Sequence, residues 1–218
     1  MGYFITFEGI EGCGKTTQIR LLGEHLSLLG HRVVLTREPG GCQISDKIRT
    51  ILLDADNLGM NPLAELFLYA AARAQHVSEI IRPALESGCI VLCDRFTDAT
   101  IAYQSSGRGI DRATIDLLNA LACQSIEPNL TVLIDCEINV GLNRAKQRID
   151  SATGPREERF ELEALEFHQR VRNGYLDLAR QNPERYFRTD GSGTIEQISA
   201  TIAERVLKGL KDSSRAIR

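Results

Sequence analysis

Short apolar runs along this chain alternate with stretches whose apolar residues recur every three or four positions. "YFITF" (3–7), "RVVLT" (32–36), "CIVLC" (89–93), "LTVLI" (130–134) and "RYFRT" (185–189) are rich in β-branched and aromatic residues, which predicts five strands. The first four are apolar enough to be covered on both faces, as the strands of a parallel sheet are. Ile19, Leu22, Leu26 and Leu29 place a helix over 15–29. Asn61 and Pro62 open another in N-cap and N1 style, its stripe running through Leu66, Tyr69, Arg73, Val77 and Ile80. Tyr69 and Arg73 therefore share one helical face. A last amphipathic helix is predicted over about 194–210, with "KDSSRAIR" as a frayed tail. The alternation predicts an α/β sandwich, a parallel sheet covered by helices through right-handed crossovers.

Length and composition narrow the class. In 218 residues one full-sized core fits while two would each be small, so a single domain is expected. With 43% hydrophobic and 25% charged residues the chain is neither disordered nor fibrous. A formal charge of -3 lacks the basic excess of a general nucleic-acid binder. No apolar run approaches the roughly 20 residues of a membrane span, and the N-terminus lacks a basic region followed by an apolar one. Six cysteines (13, 42, 89, 93, 123, 136) form no CxxC pair and sit by no histidine at metal spacing, which predicts reduced, largely buried thiols of a cytoplasmic protein.

The chemistry begins at "GIEGCGKTTQ", residues 9–18, where Gly9, Gly14, Lys15 and Thr16 match GxxxxGK[ST] between a strand and a helix. Glycines there let successive backbone N–H groups turn inward around phosphate oxygens, and the helix N-terminus adds partial positive charge. Lys15 reaches the β and γ phosphates of a nucleoside triphosphate and Thr16 ligates Mg²⁺. Glu11, Gly12, Cys13 and Thr17 complete the ATP-binding segment. Such a loop alone suits a switch GTPase, a DNA or motor ATPase, or a small-molecule kinase. "DNLG" (56–59) fits the DxxG of GTPases, but no NKxD guanine reader accompanies it, and it reads as a loop. Asp94 and Arg95 end the third predicted strand, the usual place for ligand chemistry in open parallel sheets. Asp94 can orient Mg²⁺ or its waters, and Arg95 can fork a second phosphate.

A phosphate acceptor, with a second pKa near ~6, is ionised at neutral pH and needs no general base. The obstacle becomes the meeting of two anions, so movable positive charge is expected. "NRAKQRIDSATGPREER" (143–159) supplies Arg144, Lys146, Arg148, Arg156 and Arg159 against Asp150, Glu157 and Glu158, and its Ser-Ala-Thr-Gly-Pro centre breaks the helix as a hinged, mobile lid needs.

Four segments in this order, "FEGIEGCGKTT", "TREPGGC", "YAAARAQH" and "DRFTDATIAYQSSGRG", resemble the bacterial thymidylate kinase family, from residue 3 to about 189. The resemblance implies a P-loop nucleoside monophosphate kinase fold with a five-stranded parallel sheet, transfer of the ATP γ-phosphate to dTMP with Mg²⁺, and a homodimer. It implies that Glu11 sits near the sugar 3′-hydroxyl, and that Glu38, Pro39 and Arg49 border the monophosphate, with Arg49 and Arg95 near its phosphate. Tyr69 takes the position that stacks on thymine, Arg73 donates to a base carbonyl, Thr100 and Gln104 meet the base edge, and Tyr103 crowds the 2′ side of the sugar. In the lid, Arg148 with Arg156 stabilises transferred charge and Arg144 flanks adenine. Tyr69 replaces the usual Phe, Cys42 a common Thr, Cys13 a common Ala or Ser, and Ala99 a common Ser. Cys13, in the loop at a helix start, is expected to be oxidant-sensitive. Rival readings are another nucleotide or deoxynucleoside kinase and a non-catalytic nucleotide switch.

Overall fold

The computed structural model describes residues 2–151 and 159–216. Each predicted strand forms within one residue of its expected ends: β1 (Tyr3–Glu8), β2 (Val33–Arg37), β3 (Ile90–Asp94), β4 (Leu130–Asp135) and β5 (Tyr186–Asp190). All pairings are parallel, in the order β2-β3-β1-β4-β5. β1, the first strand in sequence, is thus central. The register sets Phe7 beside Asp94, and Asp94 beside Arg37, so the ends of β1, β2 and β3 meet at one edge.

The helices are α1 (Lys15–Leu28), α2 (Gln43–Leu53), α3 (Pro62–His76), α4 (Arg82–Glu86), α5 (Thr97–Thr100), α6 (Arg112–Cys123), α7 (Ile138–Ser151), α8 (Leu165–Gln181) and α9 (Ile195–Ala216). One core joins Ile5, Phe7 and Leu92 of the sheet to Ile19, Leu22 and Leu26 of α1 and Ile202 and Val206 of α9. A second sets Phe4, Val91 and Cys93 against Val77, Ile81 and Cys123. Alternate residues of β1 serve the two cores, as the two-residue period of a strand requires. Helices on both faces bury β1, β3 and β4, where each fully buried Leu, Ile or Phe contributes about 1.5–3 kcal/mol, whereas β2, expected to be covered on both faces, is an edge strand of the sheet and leaves Leu35 exposed.

Local chemistry sets the helix ends. Asn61 Oδ1 accepts the Leu63 N–H at 2.9 Å, with Pro62 opening α3. The predicted stripe to Ile80 does not stay α-helical: Val77–Ile81 forms a π-helical turn before α4. Pro83, in the first turn of α4, brings no N–H to the ladder. Of the predicted frayed tail, residues 211–216 are helical instead, as α9 runs to Ala216, and 217–218 lie outside the described residues. Ser213 Oγ donates to Gly209 O at 2.9 Å in that last stretch, and the turn rests on the Tyr3 phenol. "DNLG" lies in a short 3₁₀ turn, Ala55–Asn57, and its exit, the loop expected of it. Among the described residues all six cysteines are free and five are buried, and no helix is long and apolar enough to cross a membrane.

Candidate active site

The phosphate loop bridges the end of β1 and the start of α1. Gly12 has φ 66°, and a Cβ there would meet Gly141 O at 2.0 Å, so the position demands glycine twice over. Gly14 begins α1 with no side-chain cap, and no acidic residue occupies the first turn. The unpaired N–H groups and the positive end of the helix dipole therefore face the loop, the arrangement an anion uses. Lys15 Nζ donates to Gly9 O at 3.1 Å and Ile10 O at 3.0 Å, folded inside its own loop. Cys13 is buried with its sulfur 3.6 Å from that ammonium, so the reagent access expected of an oxidant-sensitive thiol is not offered. Thr17 follows on the first turn of α1.

Thr16 and Asp94, 78 positions apart, meet across the sheet edge, where Thr16 Oγ1 donates to Asp94 Oδ2 at 2.9 Å. Two hard oxygen donors side by side fit Mg²⁺, which keeps most of its waters and takes few protein ligands. Among the described residues no cluster of three or more His, Cys, Asp or Glu forms a protein cage for a metal.

Arg95 stands at the centre. Its backbone is left-handed (φ 70°), and its N–H is held by Phe7 O at 2.9 Å. The guanidinium donates to Gly9 O and Tyr175 Oη, each at 2.9 Å, and to Glu11 Oε1 at 3.2 Å, and it lies 4.8 Å over the Tyr103 ring. Tyr103 Oη also donates to Glu11. His168, fully buried, sets Nδ1 3.4 Å from Glu11 Oε2. Burial pushes the Glu11 pKa up, but His168, Arg95, Tyr103 and Lys15 together bring it down to about 2. Glu8 behaves oppositely. Burial, helped by the charge of Asp98, raises its pKa to about 8, against the Arg95 charge, the Tyr175 hydroxyl and the Phe96 N–H.

Among the residues expected to border the monophosphate, Glu38 precedes a cis Pro39 and accepts from Arg73 Nε at 2.7 Å and His76 Nδ1 at 3.1 Å. Pro39 O accepts from Arg49 Nη1 at 3.0 Å. Arg73 further donates to Asn119 Oδ1 at 2.7 Å and Phe96 O at 2.9 Å, which fixes the guanidinium in place. Tyr69, on the same face of α3 as predicted, meets Phe160 at a centroid distance of 6.5 Å. Thr100, Tyr103 and Gln104 are all buried, the last two in a π-helical segment, Ile101–Gly107, a deformation common at functional sites. The Thr100 hydroxyl is buried without a partner among the described residues, an orphan a ligand would satisfy.

The residues expected in a lid divide. Arg144 and Arg148 are exposed on α7, and Arg148 lies 3.6 Å from Glu161. Arg156 lies outside the described residues. Arg159, expected among the movable charges, is buried: Nη1 pairs with Glu65 Oε2 at 2.6 Å, Nε bonds Leu52 O, and the guanidinium covers Phe160. Burial between a carboxylate and the carbonyl end of α2 anchors this arginine, so the free positive charge of the segment is smaller than its composition suggests. Sequence reasoning also missed Glu8, Glu65, Phe160, His168 and Tyr175. For Glu65 a signal was present, since it precedes Tyr69 and Arg73 by one and two helical turns.

The family model described as thymidylate kinase matches residues 7–202. The chain is 67% identical over 218 residues to a thymidylate kinase of Pelobacter propionicus, covering all of both chains. It is 62% identical over 207 residues to one of Trichlorobacter lovleyi, covering 95% of this chain and 98% of the relative. Its fold is similar to the crystal structure of thymidylate kinase from Ehrlichia chaffeensis, with a TM-score of 0.76 and 37% identity over 94% of this chain and 98% of that one.

Proposed function

The chain belongs to the thymidylate kinase family, and we propose that it transfers the γ-phosphate of ATP to dTMP, giving ADP and dTDP. The observation that carries this reading is the position of Arg95. Its guanidinium touches the backbone of the phosphate loop at Gly9 and the Glu11 carboxylate beneath Tyr103, so donor and acceptor subsites share one cation.

In this reading the loop N–H groups and Lys15 bind the triphosphate, Lys15 leaving Gly9 O and Ile10 O for phosphate oxygens. Thr16 and Asp94 hold Mg²⁺, which neutralises phosphate charge when bound. Glu11, ionised throughout the physiological range, accepts the sugar 3′-hydroxyl. Arg49 and Arg95 draw the acceptor phosphate in line with the donor, Tyr69 covers the base, and Thr100, Gln104 and Arg73 read its edge. Arg148 and Arg156 act from a lid spanning about 143–160, while Arg144 flanks adenine; the whole chain serves as one kinase domain. No side chain has to remove a proton, because the acceptor is already an anion.

Leu63 and Phe67 of α3 and Leu117 and Leu121 of α6 are exposed on packed neighbouring helices, an apolar face that supports a homodimer. The protein works in the cytoplasm, where its free thiols stay reduced.

Coupled ADP release with ATP, Mg²⁺ and, separately, dTMP, dUMP, dCMP, AMP and thymidine tests the reading. Turnover strongest with dTMP is expected. Turnover led by another acceptor would keep the kinase and discard the assigned base pocket, and nucleotide binding without turnover would point to a switch.

A further inference from the structure

Glu65 sits fully buried in α3. Its Oε1 accepts from Gln104 Nε2 at 2.8 Å and Arg108 Nε at 3.2 Å, and its Oε2 from Arg159 Nη1 at 2.6 Å and Arg108 Nη2 at 3.2 Å. Burial pushes the pKa of this carboxyl up, but the hydrogen bonds from Arg108 and Gln104 and the charges of both arginines bring it below the ordinary glutamate value. An ionised carboxylate only accepts hydrogen bonds. Gln104 must therefore turn its NH₂ group toward Glu65. The amide's carbonyl, Oε1, is left as the group available to a ligand.

We propose that Glu65 is a positioning residue for base selection: by clamping the Gln104 amide it makes Gln104 an acceptor toward the base, matched to the N3–H of a 2,4-dioxopyrimidine and mismatched to the bare N3 of a 4-aminopyrimidine. The proposal rests on the reading of dTMP as acceptor, with Gln104 at the base edge. Arg73 offers only donors, so the pair reads a carbonyl and an adjacent N–H together. Cytosine reverses both groups, setting its amino group against a guanidinium and its N3 lone pair against a carbonyl. A site built to hydrogen-bond its substrate rejects such a mismatch far better than an apolar pocket rejects one methyl group. If the amide were free to rotate, its NH₂ could donate to cytosine N3, and half of that rejection would be lost. The same carboxylate anchors Arg159, just beyond residues 152–158, so the clamp and the end of the lid share one residue.

The test compares kcat/KM for dTMP and dCMP in the wild type and in Glu65→Gln, whose neutral amide can donate as well as accept and so releases Gln104. The ratio of dTMP to dCMP is expected to fall at least about ten-fold, with the KM for ATP little changed. An unchanged ratio, with both substrates slowed alike, would reduce Glu65 to a structural part and overturn the proposal. Should the variant fail to fold, wild-type protein carrying ¹⁵N-glutamine answers the question, its Gln104 side-chain signals assigned by their loss in Gln104→Asn. Those NH₂ signals are expected to stay exchange-protected and nearly unshifted when dTMP is added, whereas a large shift or loss of protection would show the amide turning and overturn the clamp. A wild type inactive with dTMP would instead sink the kinase reading itself, while an active one with an unchanged ratio sinks only the clamp.

Discussion

Arg95 Nη2 lies 3.2 Å from Glu11 Oε1, joining residues 84 positions apart at the mouth of the phosphate loop. This contact pairs the cation assigned to the acceptor phosphate with the carboxylate assigned to the acceptor sugar. The grip on Arg95 comes from below. Glu8 accepts the Phe96 N–H at 2.8 Å and the Tyr175 hydroxyl at 2.8 Å, and Tyr175 in turn accepts from Arg95. A guanidinium held on several sides loses little freedom when a phosphate arrives, which is the value of preorganisation.

Arg95→Ala is expected to lower kcat/KM for dTMP by about 10²–10³-fold or more while ATP still binds. Steady-state kinetics with each substrate varied in turn measures this. Near-normal turnover would remove Arg95 from the acceptor phosphate.

Lys15→Ala removes the ammonium proposed to bind phosphate, which donates to Ile10 O and shares Gly9 O with Arg95. Turnover should fall by about 10²–10³-fold at saturating dTMP, with the fold intact by circular dichroism. A folded variant of normal rate would contradict the loop assignment.

Stability should depend on pH through Glu8. Its folded pKa is raised from 4.5 to about 8, so the folded state binds the proton more tightly than the unfolded one. The resulting stabilisation is fully present below about pH 4.5 and is lost as pH rises through about 8. Glu11 works in the opposite sense, contributing stability above about 4.5 that is lost as pH falls through about 2, outside that window. Urea midpoints from pH 5 to 8 should therefore decline more steeply in the wild type than in Glu8→Gln; parallel profiles would show that Glu8 ionises normally.

Arg159→Ala is expected to destabilise the protein by about 3 kcal/mol, because it leaves the Leu52 carbonyl and part of the buried Glu65 carboxylate without a partner. Arg108 still faces Glu65 and keeps the loss from being larger. A change below ~1 kcal/mol in urea unfolding would place this arginine among exposed charges.

Tyr103→Phe takes one donor from Glu11 and empties space beside the sugar. Its main effect should be a narrower preference for dTMP over the corresponding ribonucleotide, read from the two kcat/KM values. An unchanged ratio would detach Tyr103 from the 2′ side.

Much of this molecule is visible in its linear pattern, because the signals involved are local. Alternation of strand and helix periods, Asn61–Pro62 at a helix start, the glycine loop before Lys15 and Thr16, and the shared face of Tyr69 and Arg73 each depend on residues within a few turns of one another. Composition was a poorer guide to the lid. Arg159 counts as a positive charge in its segment, yet its environment is a carboxylate 94 positions away.

The sequence by itself determined the strand set, the α/β class, the glycine loop before Lys15 and Thr16 and the chemical types of the candidate site. Only the tertiary structure decided the charge and geometry of the site: which arginine is anchored and which exposed, which carboxyl pKa is brought down by its neighbours (Glu11, Glu65) and which is pushed up by burial (Glu8), and which way Gln104 turns. The reason is physical. Backbone preference acts over a few residues, whereas desolvation and ion pairing depend on neighbours that only the closed sheet and its covering helices bring together.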